Sequence, residues 1–193
     1  MVAVYLCLAA YTIFIASDFV SLVIQGKLPS ILFWIGMVIL ISATVYVIST
    51  SDLVSVFQQN HALAIAMAVI AVIFLGLFTH SLFSVLLANA TDIKSEKRQL
   101  ADTGVYALCR HPGVIWLTLF FLFAWLFADN IMMLWLGISN TVMDIVYVTI
   151  QDIFIFPKTI SGYDEYKKYT PFLIPNVRSV KRAIETYIQK NRV

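Results

Sequence analysis

Arg110-His111-Pro112 stand directly before an apolar run, with Gly104-Val105-Tyr106 a few residues upstream. Pro112 fits the first turn of a helix, where its missing N–H costs nothing. The free backbone N–H groups at such a helix start, beside Arg110 and His111, could receive a carboxylate or phosphate. Read on composition alone, the segment from Lys94 to Trp116 is better explained as a charged loop meeting anionic lipid headgroups. A second set of polar residues, Asp18, His80 and Asp144, lies inside or near the ends of apolar runs, where an ionisable group is costly unless paired or facing a wet cavity. Helix spacing puts Asp144, Tyr147 and Gln151 on one face, and Gly76, His80 and Ser84 on another. Metal chemistry is not expected, because the three histidines are scattered and two cysteines make no four-ligand spacing. Cys109, beside Arg110, is assigned no role.

The elements that must carry these residues follow from composition. Of 193 residues, 61% are apolar and 12% charged, against about 45–50% and 25% in soluble domains. So few charges cannot cover the outside of a soluble fold, and two cysteines exclude a disulfide scaffold. Apolar runs cover 2–24, 31–49, 62–88, 113–128 and 131–150, most near the roughly 20 residues a spanning helix needs. The first has no Lys or Arg before it and no small-residue cleavage site, so it does not read as a secretory signal. The fourth is the shortest, separated from the fifth only by Asp129-Asn130; the pair reads as a tight hairpin that tilts or falls short of a full crossing. The expectation is an all-α integral membrane protein of about five transmembrane helices with a helical C-terminal tail. It forms one domain over 1–193: three N-terminal helices to 88, a hairpin region at 89–176 and a basic tail at 177–193.

Five crossings sort the charges. The segments 25–30, 89–112 and 151–193 fall on one side and hold 1, 4 and 8 Lys and Arg, all 13 in the chain. Under the positive-inside rule the C-terminus is cytoplasmic and the N-terminus outside. The setting would be a bacterial inner membrane or the endoplasmic reticulum. Counting about 1.5 Å per residue, Asp18, His80 and Asp144 then share the cytoplasmic half of the bilayer. Singly, each is explained as well by interhelical hydrogen bonding, worth about 0.6 kcal/mol, as by a common cavity. Tyr163, Tyr166 and Tyr169 recur at helical spacing among charges, as interfacial anchors do; Tyr166 is read equally as site lining. The stretch from Arg178 to Arg192 reads as an amphipathic surface helix, with Lys181 and Arg182 on lipid.

Gly104-x-Tyr106, three residues, then Arg110-His111-Pro112 at the mouth of a helical hairpin resembles a motif of the isoprenylcysteine carboxyl methyltransferase family and its bacterial relatives. After the hairpin, Tyr163 and Tyr166, followed by Pro171 and Pro175, are similar to that family's tail. This register puts Gln151-Asp152 where the family has a Glu-Glu pair. The resemblance covers about residues 94–176. It departs at Gln151, at the shorter Asp152, at Thr159-Ile160 in place of Phe-Gly, and at Val114 in place of a Tyr.

The resemblance implies an integral membrane methyltransferase that uses S-adenosylmethionine and takes a lipophilic or lipidated substrate from the bilayer, with no nucleic-acid partner. Carried over, Arg110 and Asp152 are the catalytic candidates and are expected to pair. Gly104, Tyr106, His111, Pro112, Gln151 and Tyr166 are the cofactor-binding candidates. Glutamate at 152 is expected to be tolerated. Two other readings stand beside this one: an NADPH-dependent membrane reductase related to sterol reductases, disfavoured because their motif continues Pro-Asn-Tyr where this chain has Pro112-Gly113-Val114, and a non-catalytic relative that binds lipid or a partner.

Overall fold

Long apolar segments have no water within reach for their backbone groups, so each must satisfy its N–H and C=O groups internally, as a helix does. The structure, a computed structural model, describes residues 1–24, 26–52, 60–90 and 100–190, without the side chains of 84–90 and 189–190. Helices are the regular structure among the described residues, without a strand: α1 (Val2–Ser21), α2 (Leu28–Ser49), α3 (His61–Ala90), α4 (Val105–Leu108), α5 (Pro112–Ala128), α6 (Ile131–Ile150), α7 (Phe156–Thr159), α8 (Tyr163–Tyr169) and α9 (Val177–Lys190). A π-turn, Gln151–Ile155, joins α6 to α7. Among the described residues, four stretches are long and apolar enough to cross a membrane: Val2–Ser21, Leu28–Ser49, His61–Phe83 and Ile131–Thr159. The fourth run is the 17-residue α5, shorter than these. Lys94, Lys97, Arg98 and Arg192 lie outside the described residues, as does the side chain of Ser84.

The helices pack in the order α2, α1, α6, α5, α3. Successive helices along the chain run alternately up and down, so that α1 and α6, neighbours in the packing, run parallel. At one end Asn130 Nδ2 donates to Ser51 Oγ (2.9 Å), and the Met1 amino group lies 3.5 Å from Met132 Sδ. At the other, Gln151 donates to Asp18 (2.8 Å) and Tyr106 to the Ser81 carbonyl (2.9 Å). Small residues let backbones approach at the α1–α2 seam, as is common between apolar helices. Ala3, Cys7 and Ala10 are fully buried there, and a Cβ on Gly36 would sit 2.6 Å from a Phe14 ring carbon and 3.1 Å from the Ala10 carbonyl oxygen. The expected hairpin forms: Asp129 adopts a left-handed conformation (φ 44°), and Asn130 caps α6 by accepting from the Met132 N–H (2.8 Å).

The outside of the bundle is apolar. Along α2 alone, Ile31, Trp34, Ile35, Val38, Ile41 and Val45 are exposed, a continuous surface that soluble monomers do not carry.

The polar face expected on α6 turns to α1. Tyr11 donates to Asn140 Oδ1 (3.1 Å), one turn from the buried Asp144, while Gln151 donates to Asp18. These contacts are the interhelical hydrogen bonds that one of the two readings anticipated. His80 does not join them, because it lies on the exposed side of α3, and α3 packs on α5 through Phe74 and Phe78 instead. The expected common cavity of Asp18, His80 and Asp144 is therefore not formed.

Candidate functional site

Gly104 holds a conformation (φ +60°, ψ −125°) that side chains rarely adopt, with open space around its Cβ position. Backbone freedom is what requires glycine here. Its N–H donates to Thr186 Oγ1 (3.1 Å). α4 makes one turn, tied to α3 by the Tyr106 hydroxyl. The chain then extends, and Arg110 and His111 donate main-chain N–H groups to the Pro171 and Phe172 carbonyls (2.9 and 3.3 Å). Pro112, buried, opens α5 as its first-turn proline.

Asp152 enters from the far side of the hairpin. It lies in the π-turn that follows α6, one step round from the α1-facing stripe, on the side where Gly137 meets Phe121 and Thr141 meets Thr118 on α5. Arg110 Nη1 lies 2.9 Å from Oδ1 and 3.0 Å from Oδ2. Tyr163 O–H donates to Oδ1 (2.7 Å), His111 Nε2 is 3.3 Å from Oδ1, and Lys167 Nζ is 3.1 Å from Oδ2. Lys167 also donates to the Asp152 main-chain carbonyl (3.0 Å). A carboxylate has about four lone-pair directions, and here four side chains fill them. The Arg110 and Asp152 side chains are only 11% and 8% exposed.

Aromatic rings wall the cluster. His111 stacks on Phe156 (5.8 Å between centroids) and meets Phe172 edge-on (5.1 Å), while Arg110 lies over the Phe172 ring (5.4 Å). Arg110 uses one nitrogen for Asp152, and its buried Nε has no hydrogen-bond partner among the described residues. Burial pushes the His111 pKa down, against the raising effect of Asp152. The neutral ring then donates from Nε2, a tautomer assigned from the contact with Asp152. Burial also raises the Tyr163 phenol, helped by Asp152, so it stays a proton donor. The Cys109 thiol is pushed up to about 11 by burial, which leaves little thiolate for nucleophilic chemistry.

Of the residues singled out in the sequence, Arg110, His111 and Asp152 converge, with Pro112 and Gly104 shaping their approach. The Tyr106 and Tyr166 hydroxyls are engaged by main-chain carbonyls, Ser81 and Tyr106 respectively (2.9 and 2.6 Å). Gln151 faces α1 and stands apart. Tyr163, expected as an interfacial anchor, belongs to the cluster, as does Lys167, which was not singled out; their i, i+4 spacing in α8 was the available signal. Arg182, expected on lipid, pairs with Asp102 (3.0 Å) and lies over the Tyr169 ring (4.2 Å). Compared with protein-family models, with characterised proteins and with solved structures, the chain has no match.

The buried His111 makes stability depend on pH. Its folded pKa lies below the ordinary 6.5, so its contribution is complete above pH 6.5 and is lost as pH falls below that value and the unfolded chain binds the proton first. The slope is at most about 1.4 kcal/mol per pH unit. Melting in detergent at pH 7.5 and 5.5 is expected to show a larger loss for wild type than for His111→Asn. Equal losses in the two proteins would remove His111 as the cause.

Proposed function

We propose that this chain is a membrane-embedded, S-adenosylmethionine-dependent methyltransferase acting on a lipophilic acceptor at the end of the bundle that carries α4, α8 and α9. The observation that carries the reading is the junction of Arg110 and His111 with Asp152 across the hairpin, leaving the buried Arg110 Nε without a partner among the described residues. The residues present fit the cofactor. An unsatisfied guanidinium N–H suits its carboxylate, or an acidic group on the acceptor, and the His111, Phe156 and Phe172 rings suit its adenine or its cationic sulfonium. With Arg110 and Lys167 charged against one carboxylate and His111 neutral, the cluster carries a surplus positive charge that favours an anionic group. Asp152, filled by protein donors, acts as a positioning residue that orients Arg110.

When bound, the cofactor supplies an activated methyl group. Transfer from a sulfonium requires in-line alignment and little acid–base help, so this chain's part is to bind, orient and exclude water. Calorimetry or thermal shift in nanodiscs is the test. S-adenosylmethionine is expected to stabilise the folded wild type and NADPH is not. Stabilisation by NADPH alone would assign the chain to the reductases, and by neither would leave a non-catalytic lipid-binding protein.

The same reading has five crossings, with the site end cytoplasmic and the N-terminus outside, because every Lys and Arg then lies on one side. The alternating helix directions support it. Reporter fusions are expected to place a tag at Met1 outside and one after Val193 in the cytoplasm; the reverse pattern would refute the orientation.

A further inference from the structure

α9 is fixed to the protein by the side that amphipathic helices usually turn to water. Ser179 is buried, Arg182 pairs with Asp102, and Thr186 accepts from the Gly104 N–H. Those contacts set the roll of the helix and leave its apolar stripe outward: Val177, Val180, Ile184, Tyr187 and Ile188 are 40–86% exposed. Their spacing of three, four, three and one keeps them on a single face. Lys181, exposed, borders that face on one side, and Glu185 and Arg178, also exposed, follow it round towards the polar side.

We propose that this stripe is a docking surface for an anionic lipid leaflet, with the five apolar side chains at the boundary of headgroups and acyl chains and Arg178 and Lys181 on lipid phosphates. Two observations on the page select lipid as the occupant. The first is level: α9 packs on α4, which is followed within four residues by the start of the apolar α5, so the stripe lies beside the end of a helix whose neighbours are long enough to cross a membrane. The second is charge: going round from the stripe, the exposed residues are Lys181, Glu185 and Arg178, a net-positive edge of the kind that binds anionic headgroups. The contacts of Thr186 with Gly104 and of Arg182 with Asp102 and Tyr169 also join α9 to both chain segments that lead into Arg110 and Phe172. Lipid docking of the stripe thereby braces the candidate site, whatever that site binds.

Spin labels on the full chain test the proposal, since both native cysteines are buried. The labels are placed at Ile184→Cys and, on the polar side, at Glu185→Cys, in nanodiscs of phosphatidylcholine mixed with phosphatidylglycerol. The label at 184 is expected to be accessible to oxygen and shielded from a water-soluble nickel chelate, and the label at 185 the reverse. Adding Arg178→Glu and Lys181→Glu, both on exposed positions, is expected to shift the 184 label towards water. Water exposure at 184 in the unmodified background, or indifference to the two charge reversals, would overturn the proposal. So would dipolar coupling between two 184 labels, which would show a second copy of the chain covering the stripe.

Discussion

Asp152→Asn is expected to lower S-adenosylmethionine affinity at least about tenfold, roughly 1.4 kcal/mol, and to destabilise the fold as well. The substitution leaves Arg110 and Lys167 beside a neutral group in a nearly buried cluster. Removing one partner of a buried pair costs about 3–5 kcal/mol, less where water reaches the rest. Arg110→Lys is expected to behave differently. Arg110 meets Asp152 through Nη1 alone, a point contact that an ammonium can reproduce, so melting should stay close to wild type. The lysine lacks the Nε donor and the planar group over Phe172, so cofactor affinity should still fall about tenfold. The double variant should lose less affinity than the two losses combined, because both act on one interaction. Isothermal calorimetry and melting on the four proteins decide the matter. Wild-type affinity in either single variant, or strict additivity, would show that the pair is not a functional unit. Asp152→Glu, which the family register had suggested would be tolerated, is now expected to cost about 1–3 kcal/mol by overpacking. The aspartate already meets its donors at 2.7–3.3 Å inside a buried cage.

Gly36→Leu is expected to separate α1 from α2. Even the first added carbon would sit 2.6 Å from Phe14, and Phe14 cannot swing freely, because it is packed against Phe33 (5.3 Å) and Tyr147 (5.8 Å). Tyr147 belongs to α6, so displacement at the α1–α2 seam would pass to the helix that leads into the π-turn of Asp152. Gly36→Ala should cost about 1–3 kcal/mol, and leucine more. Gly76→Ala is the control: nothing lies within 4 Å of that position, and replacing a mid-helix glycine gains about 0.5–1 kcal/mol. Unfolding in mixed micelles measures all three. A Gly36→Leu protein as stable as Gly76→Ala would show that the seam is loose.

The helices were legible because apolar composition and backbone satisfaction leave one solution for such runs, and the two residues Asp129-Asn130 left room only for a hairpin. The convergence of Arg110 with Asp152 was legible only through the order of motifs, since nothing in the local sequence says that residues on either side of a hairpin touch. Tyr163 and Lys167 were missed for a physical reason: aromatic and basic residues at helical spacing beyond an apolar run look the same whether they anchor in headgroups or fold back. The fold-back depends on Gly162, whose φ of +75° sets α8 against the end of α6. His80 misled because helical spacing defines a face without saying what that face meets.

The paired main-chain bonds from Arg110 and His111 to Pro171 and Phe172 also bear on the order of assembly. They close a loop of roughly sixty residues in an extended chain, but of about twenty once α5 and α6 are zipped together, a saving of about 1 kcal/mol in closure entropy. More importantly, the zipped pair delivers Arg110 and Asp152 to the same end before α8 arrives to add Tyr163 and Lys167. The two-residue turn at the opposite end, about 25 Å away along α5, is therefore expected to influence how fast the cluster assembles. Damage to that turn would be felt as slow or incomplete maturation of a site it never touches.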